Sequence, residues 1–145
     1  MLRRWHKFIG LTGDDRALLI GAVLLVLLMR CGLASIGFAK LGRLLSRFER
    51  AHPQAAKSPA DVDRIVWAVS AAGRVVLGDK PCLPLAMASQ WLLRRRGFVT
   101  DLRIGVMRGD SGGLEAHAWV ELDGRILIGQ TPSLERFERL PALGL

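Results

Sequence analysis

Ala116-His117-Ala118-Trp119-Val120-Glu121-Leu122-Asp123-Gly124-Arg125-Ile126-Leu127-Ile128-Gly129 reads as two strands joined by a tight turn. Asp-Gly between apolar runs is the strongest short hairpin signal, because both turn residues take positive φ. The hairpin spans residues 116–122 and 125–129. Upstream, Leu102, Ile104 and Val106 alternate along residues 99–107, which predicts a strand before it. Arg108-Gly109-Asp110-Ser111-Gly112-Gly113 is the connecting loop. Three consecutive antiparallel strands make a meander. Residues 130–145, punctuated by Pro and Gly, are expected to wrap the domain.

Working back from the meander, the periods become helical. Gly97 is the expected left-handed terminator of a helix that carries Met87, Trp91, Leu92 and Leu93. Pro84 is tolerated only in a first turn, so this helix begins at about Cys82. Arg94-Arg95-Arg96 suits its negative end and reads as a solvated terminus. Ser58-Pro59-Ala60-Asp61 opens another helix, with Val62, Ile65, Val66 and Val69 on one face and Gly73 as its expected end. Leu41, Leu44, Leu45 and Phe48 define an amphipathic helix over residues 40–51, and residues 54–59 form a polar linker. Trp67 and Trp91 read as core. Helices followed by an antiparallel meander give an α+β class: amino-terminal helices packed on a small antiparallel sheet. One domain over residues 1–145 is expected, with a helical region at 1–52 and a core at 58–145.

The chain has 145 residues, of which half are hydrophobic and 23% charged, which excludes a disordered or collagen-like polymer. Its net charge of +8 favours acidic partners. No Arg–aromatic repeat is present, so no nucleic-acid partner is expected. Cys31 and Cys82 form no disulfide framework. With His6, His52 and His117 they give no metal-ligand spacing, so neither metal nor cofactor is expected. Free thiols point to a reducing, cytoplasmic setting.

Residues 17–29 are all apolar or Gly, preceded by Thr12-Gly13-Asp14-Asp15 as a helix start and followed by Arg30. A spanning helix needs about 20 apolar residues, and residues 17–39 supply that length only with Arg30 inside it. Asp14-Asp15 is wrong for a signal peptide. A buried helix is the leading reading. Membrane association through residues 17–39, with Arg3, Arg4 and Lys7 touching anionic lipid, stays open beside it.

One thiol sits at a helix start and one imidazole on a strand. Free N–H groups and the helix dipole at Cys82 favour a thiolate, and a nucleophilic cysteine needs one. The same N–H groups suit an oxyanion, and His117 is the candidate base. A two-residue turn puts Val120 opposite Leu127, Trp119 opposite Ile128 and His117 opposite Gln130. His117, Trp119, Ile126, Ile128 and Gln130 would then share a face, on which the Cys82 helix is expected to pack. The amide oxygen of Gln130 would accept from the imidazole and fix its tautomer.

The blocks Pro81-Cys82-Leu83-Pro84-Leu85-Ala86, Leu92-Leu93-Arg94-Arg95-Arg96-Gly97, Leu102-Arg103-Ile104-Gly105-Val106 and Ala116 to Gly124 resemble one family. It is the transglutaminase-like cysteine protease half of the B protein of lasso-peptide biosynthesis. The resemblance implies a papain-like cysteine protease core that cuts the leader from a ribosomally made precursor peptide, with Cys82 as nucleophile and His117 as base. It implies a separate lasso cyclase that closes the core peptide. With no room for a winged-helix recognition domain ahead of the helices, it also implies a stand-alone leader-recognition protein as partner. Family members usually carry an Asp about a dozen residues after the His. Here that place reads Ile128-Gly129-Gln130-Thr131, which leaves Gln130, Glu121 and Glu135 as candidates for the third catalytic member. Two other readings stand beside the peptidase: an inactive scaffold joining the recognition protein to the cyclase, and a small membrane-anchored protein.

Overall fold

A computed structural model describes residues 12–49, 58–76, 78 and 82–141. Arg3, Arg4, Lys7, the linker at 54–57 and Pro81 lie outside the described residues. Among the described residues four helices come first: α1 (Gly13–Ile36), α2 (Phe38–Glu49), α3 (Pro59–Val76) and α4 (Cys82–Arg95). Thr12 caps α1, its hydroxyl accepting from the Asp15 N–H at 3.2 Å and donating to the Asp15 carboxylate at 2.8 Å. Ser58 caps α3 through the Ala60 N–H, with Pro59 at the first helical position. Gly97 (φ 82°) ends α4 as a left-handed residue, and the Phe98 N–H returns to the Leu93 carbonyl at 3.0 Å.

The strands are β1 (Asp101–Arg108), β2 (Leu114–Leu122), β3 (Arg125–Ile128) and a short β4 (Glu138–Arg139). They form one antiparallel sheet in the order β3-β2-β1-β4. The carboxyl-terminal segment wraps as expected: after a 3₁₀ turn at Leu134–Arg136 it crosses to the far edge of β1. Asp123 (φ 50°) and Gly124 (φ 79°) make the primed two-residue turn that the Asp-Gly pair predicts.

The two faces of the sheet have different partners. Ala118 and Val120 of β2, with Leu102 and Ile104 of β1, join the helical core of Ala22, Val26, Met29, Ile65, Val69 and Met87. Trp119, 1% exposed, lies on the opposite face and is covered by the carboxyl-terminal segment. There the Arg139 guanidinium sits 5.8 Å over its ring, and Glu121 accepts from its Nε1 at 2.8 Å. The expected packing of α4 on the His117–Trp119 face is therefore corrected. The small Ala118 and apolar Val120 admit a helix closely, whereas the Trp119 ring is roofed by Phe137 and Arg139.

Three local expectations also change. α3 does not stop at Gly73 but continues to Val76. Gly73 is buried against α4, where a Cβ would meet Leu85 Cδ2 at 2.6 Å, so it is a close-packing residue. Trp67 is 38% exposed, outside the core. The three arginines after α4's core residues are not simply solvated: Arg94 donates to the Thr100 carbonyl, Arg95 lies 4.7 Å over the Trp91 ring, and Arg96 faces Asp61. α1 is 24 residues long and apolar enough to cross a membrane by length and composition. Its Ala22, Leu25, Val26 and Met29 face is buried, while Leu24 and Leu28 are about 60% exposed.

Candidate active site

Small residues bring α4 to its position. Ala68, Ala72 and Gly73 of α3 and Ala86 of α4 are fully or nearly fully buried, and Gly73 receives the Leu85 side chain. Cys82 is the first residue of α4, and its free thiol is half-buried. At a helix start the first N–H groups have no intrahelical partner, and Pro84 contributes none. The helix-start donors nearest the sulfur in sequence are therefore the N–H groups of Cys82 and Leu83.

His117 stands on β2 opposite Gly105 of β1. Its ring is flanked by Phe137 (centroids 5.4 Å apart) and Trp119 (6.3 Å). Gly105 makes room for both neighbours: a Cβ there would meet Phe137 Cβ at 2.9 Å and the Trp119 ring at 3.0 Å. The Nε2–H of His117 donates to the Gly129 carbonyl at 2.6 Å. A carbonyl only accepts, so Nε2 carries a proton and Nδ1 is the ring nitrogen that Gly129 does not engage.

Cys82 and His117 line the same cleft, about 750 Å³ in volume, with Ser70 and Arg74 of α3, Glu115 of β2 and Leu127 of β3 on its walls. No hydrogen bond joins the two side chains. A helix-start thiol and an imidazole anchored through Nε2 in one open cleft are the groups that acyl transfer uses: attack on a carbonyl, proton uptake by the base, and return of that proton to the leaving group.

The three candidates for the third member fall elsewhere. β2 and β3 pair Leu122 with Arg125 and Glu121 with Ile126, then Val120 with Ile128, leaving an irregularity between Val120 and Glu121. The extra residue on β3 breaks the simple register, and β3 ends at Ile128, before any partner for His117. Gln130 is exposed and makes no hydrogen bond to His117, so its expected position opposite the imidazole is corrected. Glu121 is 8% exposed and committed to Trp119, Arg139 (3.2 Å) and Arg103 (3.6 Å). Glu135 is exposed on the 3₁₀ turn. Sequence reasoning missed Gly129 and Phe137. The signal for Gly129 was its spacing twelve residues after His117; Phe137 carried none, because only the crossing of the tail to β1 brings it over the ring.

A family model described as "Transglutaminase-like superfamily" matches residues 23–142. No curated protein and no solved structure matches the chain.

Proposed function

The chain belongs to the transglutaminase-like superfamily, and from that membership we propose that it is a cysteine peptidase removing the leader of a lasso-peptide precursor. The observation that supports the chemistry is that Cys82 and His117 both line one cleft, with the His117 Nε2–H held by the Gly129 carbonyl. The lasso-specific part is supported by the sequence blocks around Cys82 and from Ala116 to Gly124.

In this reading His117 Nδ1 takes the Cys82 proton, and the thiolate sulfur attacks the scissile carbonyl carbon. N–H groups at the start of α4 receive the developing oxyanion. The carbon–nitrogen bond breaks, the imidazolium returns its proton to the leaving amine, and a thioester remains on Cys82. Water, deprotonated by His117, then hydrolyses that thioester and regenerates the thiol. The same resemblance nominates a leader-recognition protein to deliver the precursor and a lasso cyclase to act on the released core peptide. A cytoplasmic setting belongs to the same reading, since the free thiols of Cys31 and Cys82 suit a reducing compartment.

The test is cleavage of a lasso precursor peptide followed by mass spectrometry. Cys82→Ala is expected to abolish leader release and Cys31→Ala, on the exposed side of α1, to retain it. Addition of the leader-recognition protein is expected to accelerate the wild-type reaction by raising the effective concentration of the scissile bond. Cleavage by Cys82→Ala at the wild-type rate would overturn the assignment. A wild-type protein that binds both partners and cuts nothing would instead establish the scaffold reading.

A further inference from the structure

The imidazole of a Cys–His pair works only when its ring is held in one orientation and one tautomer. Among the described residues no carboxylate does this for His117. Glu121 is bound to Trp119, Arg103 and Arg139, and Glu135 is exposed. The hydrogen-bond partner of the ring is the main chain, the Gly129 oxygen 2.6 Å from Nε2.

Residue 129 can offer nothing else. Its φ is +86°, a conformation that side chains other than Gly rarely adopt. A Cβ there would lie 2.5 Å from the Ala118 carbonyl oxygen and 2.8 Å from Trp119 Cβ. The glycine thus permits the close crossing of the chain over β2 that turns its own carbonyl toward the ring. Trp119 and Phe137 flank the ring.

We propose that the Gly129 backbone carbonyl is the third member of this site, a positioning group that replaces a side-chain carboxylate or amide. The inference rests on the Cys82–His117 reading and deepens it. A neutral carbonyl fixes the Nε2–H and so reserves the other ring nitrogen, Nδ1, for the role of base. It stabilises the imidazolium less than a carboxylate does. Substitution of neighbouring side chains leaves it in place, because the acceptor belongs to the main chain.

The experiment replaces the 129–130 peptide bond by an ester in the full-length chain, assembled by ligating a synthetic carboxyl-terminal segment. The ester carbonyl is a weaker acceptor. The nitrogen it removes makes no hydrogen bond within the described residues. Two readouts are taken: the proton resonance of the His117 Nε2–H by nitrogen-15 NMR, and the rate of Cys82 alkylation by iodoacetamide at neutral pH. The expected result is an upfield shift of the Nε2–H resonance and alkylation slowed roughly threefold or more. Gln130→Ala, made in parallel, is expected to change neither. An unchanged resonance and rate in the ester chain, while His117→Ala still slows alkylation, overturns the role of Gly129 and leaves the Cys–His pair standing. Alkylation indifferent to His117→Ala overturns the pair itself, and with it this inference.

Discussion

Glu121 shows how a residue that reads as catalytic is spent on structure. It accepts from the Trp119 indole and meets Arg103 and Arg139, locking the outer face of the sheet beneath the carboxyl-terminal segment. Glu121→Ala leaves a buried indole N–H without its acceptor, and the expected loss is about 1–3 kcal/mol of stability, read by urea denaturation. Thiol reactivity at Cys82, measured below the unfolding range, is expected to stay near wild type. Gly105 works at the same scale. Gly105→Ala forces a methyl between Phe137 and the Trp119 ring, and the resulting overpacking is expected to cost about 1–3 kcal/mol. Because those two rings flank His117, this variant is also expected to slow Cys82 alkylation, which distinguishes it from Glu121→Ala.

Among the elements, α3 and α4 place Cys82, and their approach depends on Gly73. Gly73→Ala would put a Cβ 2.6 Å from Leu85 Cδ2 in a helix pair with little slack. A lower thermal midpoint together with slower alkylation of Cys82 is the expected outcome. α1 joins α3 at its amino end, where Arg64 meets Asp15 at 2.7 Å. The Thr12 hydroxyl first, and the Arg64 guanidinium second, hold the Asp15 carboxyl below its ordinary range. The folded form thus binds this proton less readily than the unfolded one. The resulting stability is complete above the ordinary Asp range and is lost as pH falls through and below it. Asp15→Asn is expected to flatten that part of the acid limb, measured as thermal midpoint between about pH 5 and about pH 2. The same elements show what the sequence made legible. Caps at Thr12 and Ser58, the Gly97 stop and the Asp123-Gly124 turn are local signals, and each appears in the structure where its residues are. The register beyond the turn was not legible, because one extra residue on β3 breaks the simple pairing and no residue type announces it. Gly73 read as a stop because an isolated Gly has the same local signature whether it ends a helix or admits a neighbour. Cys82 and His117 were legible as chemistry-bearing types at a helix start and on a strand. The face of the sheet that receives α4 was not, since Ala118 and Val120 compete with Trp119 as apolar residues and tertiary packing selects between them.

For the molecule as a whole, net charge and exposed apolar surface are tested together. The net charge is +8, and α1 exposes Ile20, Leu24, Leu27 and Leu28 on the side away from its buried face. Bilayer on every side of α1 would require lipid to displace α3 and α4, whose neighbouring turns carry Asp61, Arg64 and Arg96. Interfacial contact needs no such displacement. Interfacial contact predicts cosedimentation with anionic vesicles at low salt, reversed by raising the salt and absent with neutral vesicles; resistance to salt would favour insertion, and no cosedimentation the buried-helix reading. The covalent step on Cys82 is read directly by intact-mass spectrometry. Wild-type protein is mixed with a lasso precursor peptide and its recognition protein, then quenched in acid within a single turnover. The expected product is an adduct of the acyl fragment amino-terminal to the cut, mapped to Cys82 and missing from Cys82→Ala. Full cleavage with no adduct at any quench time, or an adduct mapped to Cys31, would contradict it.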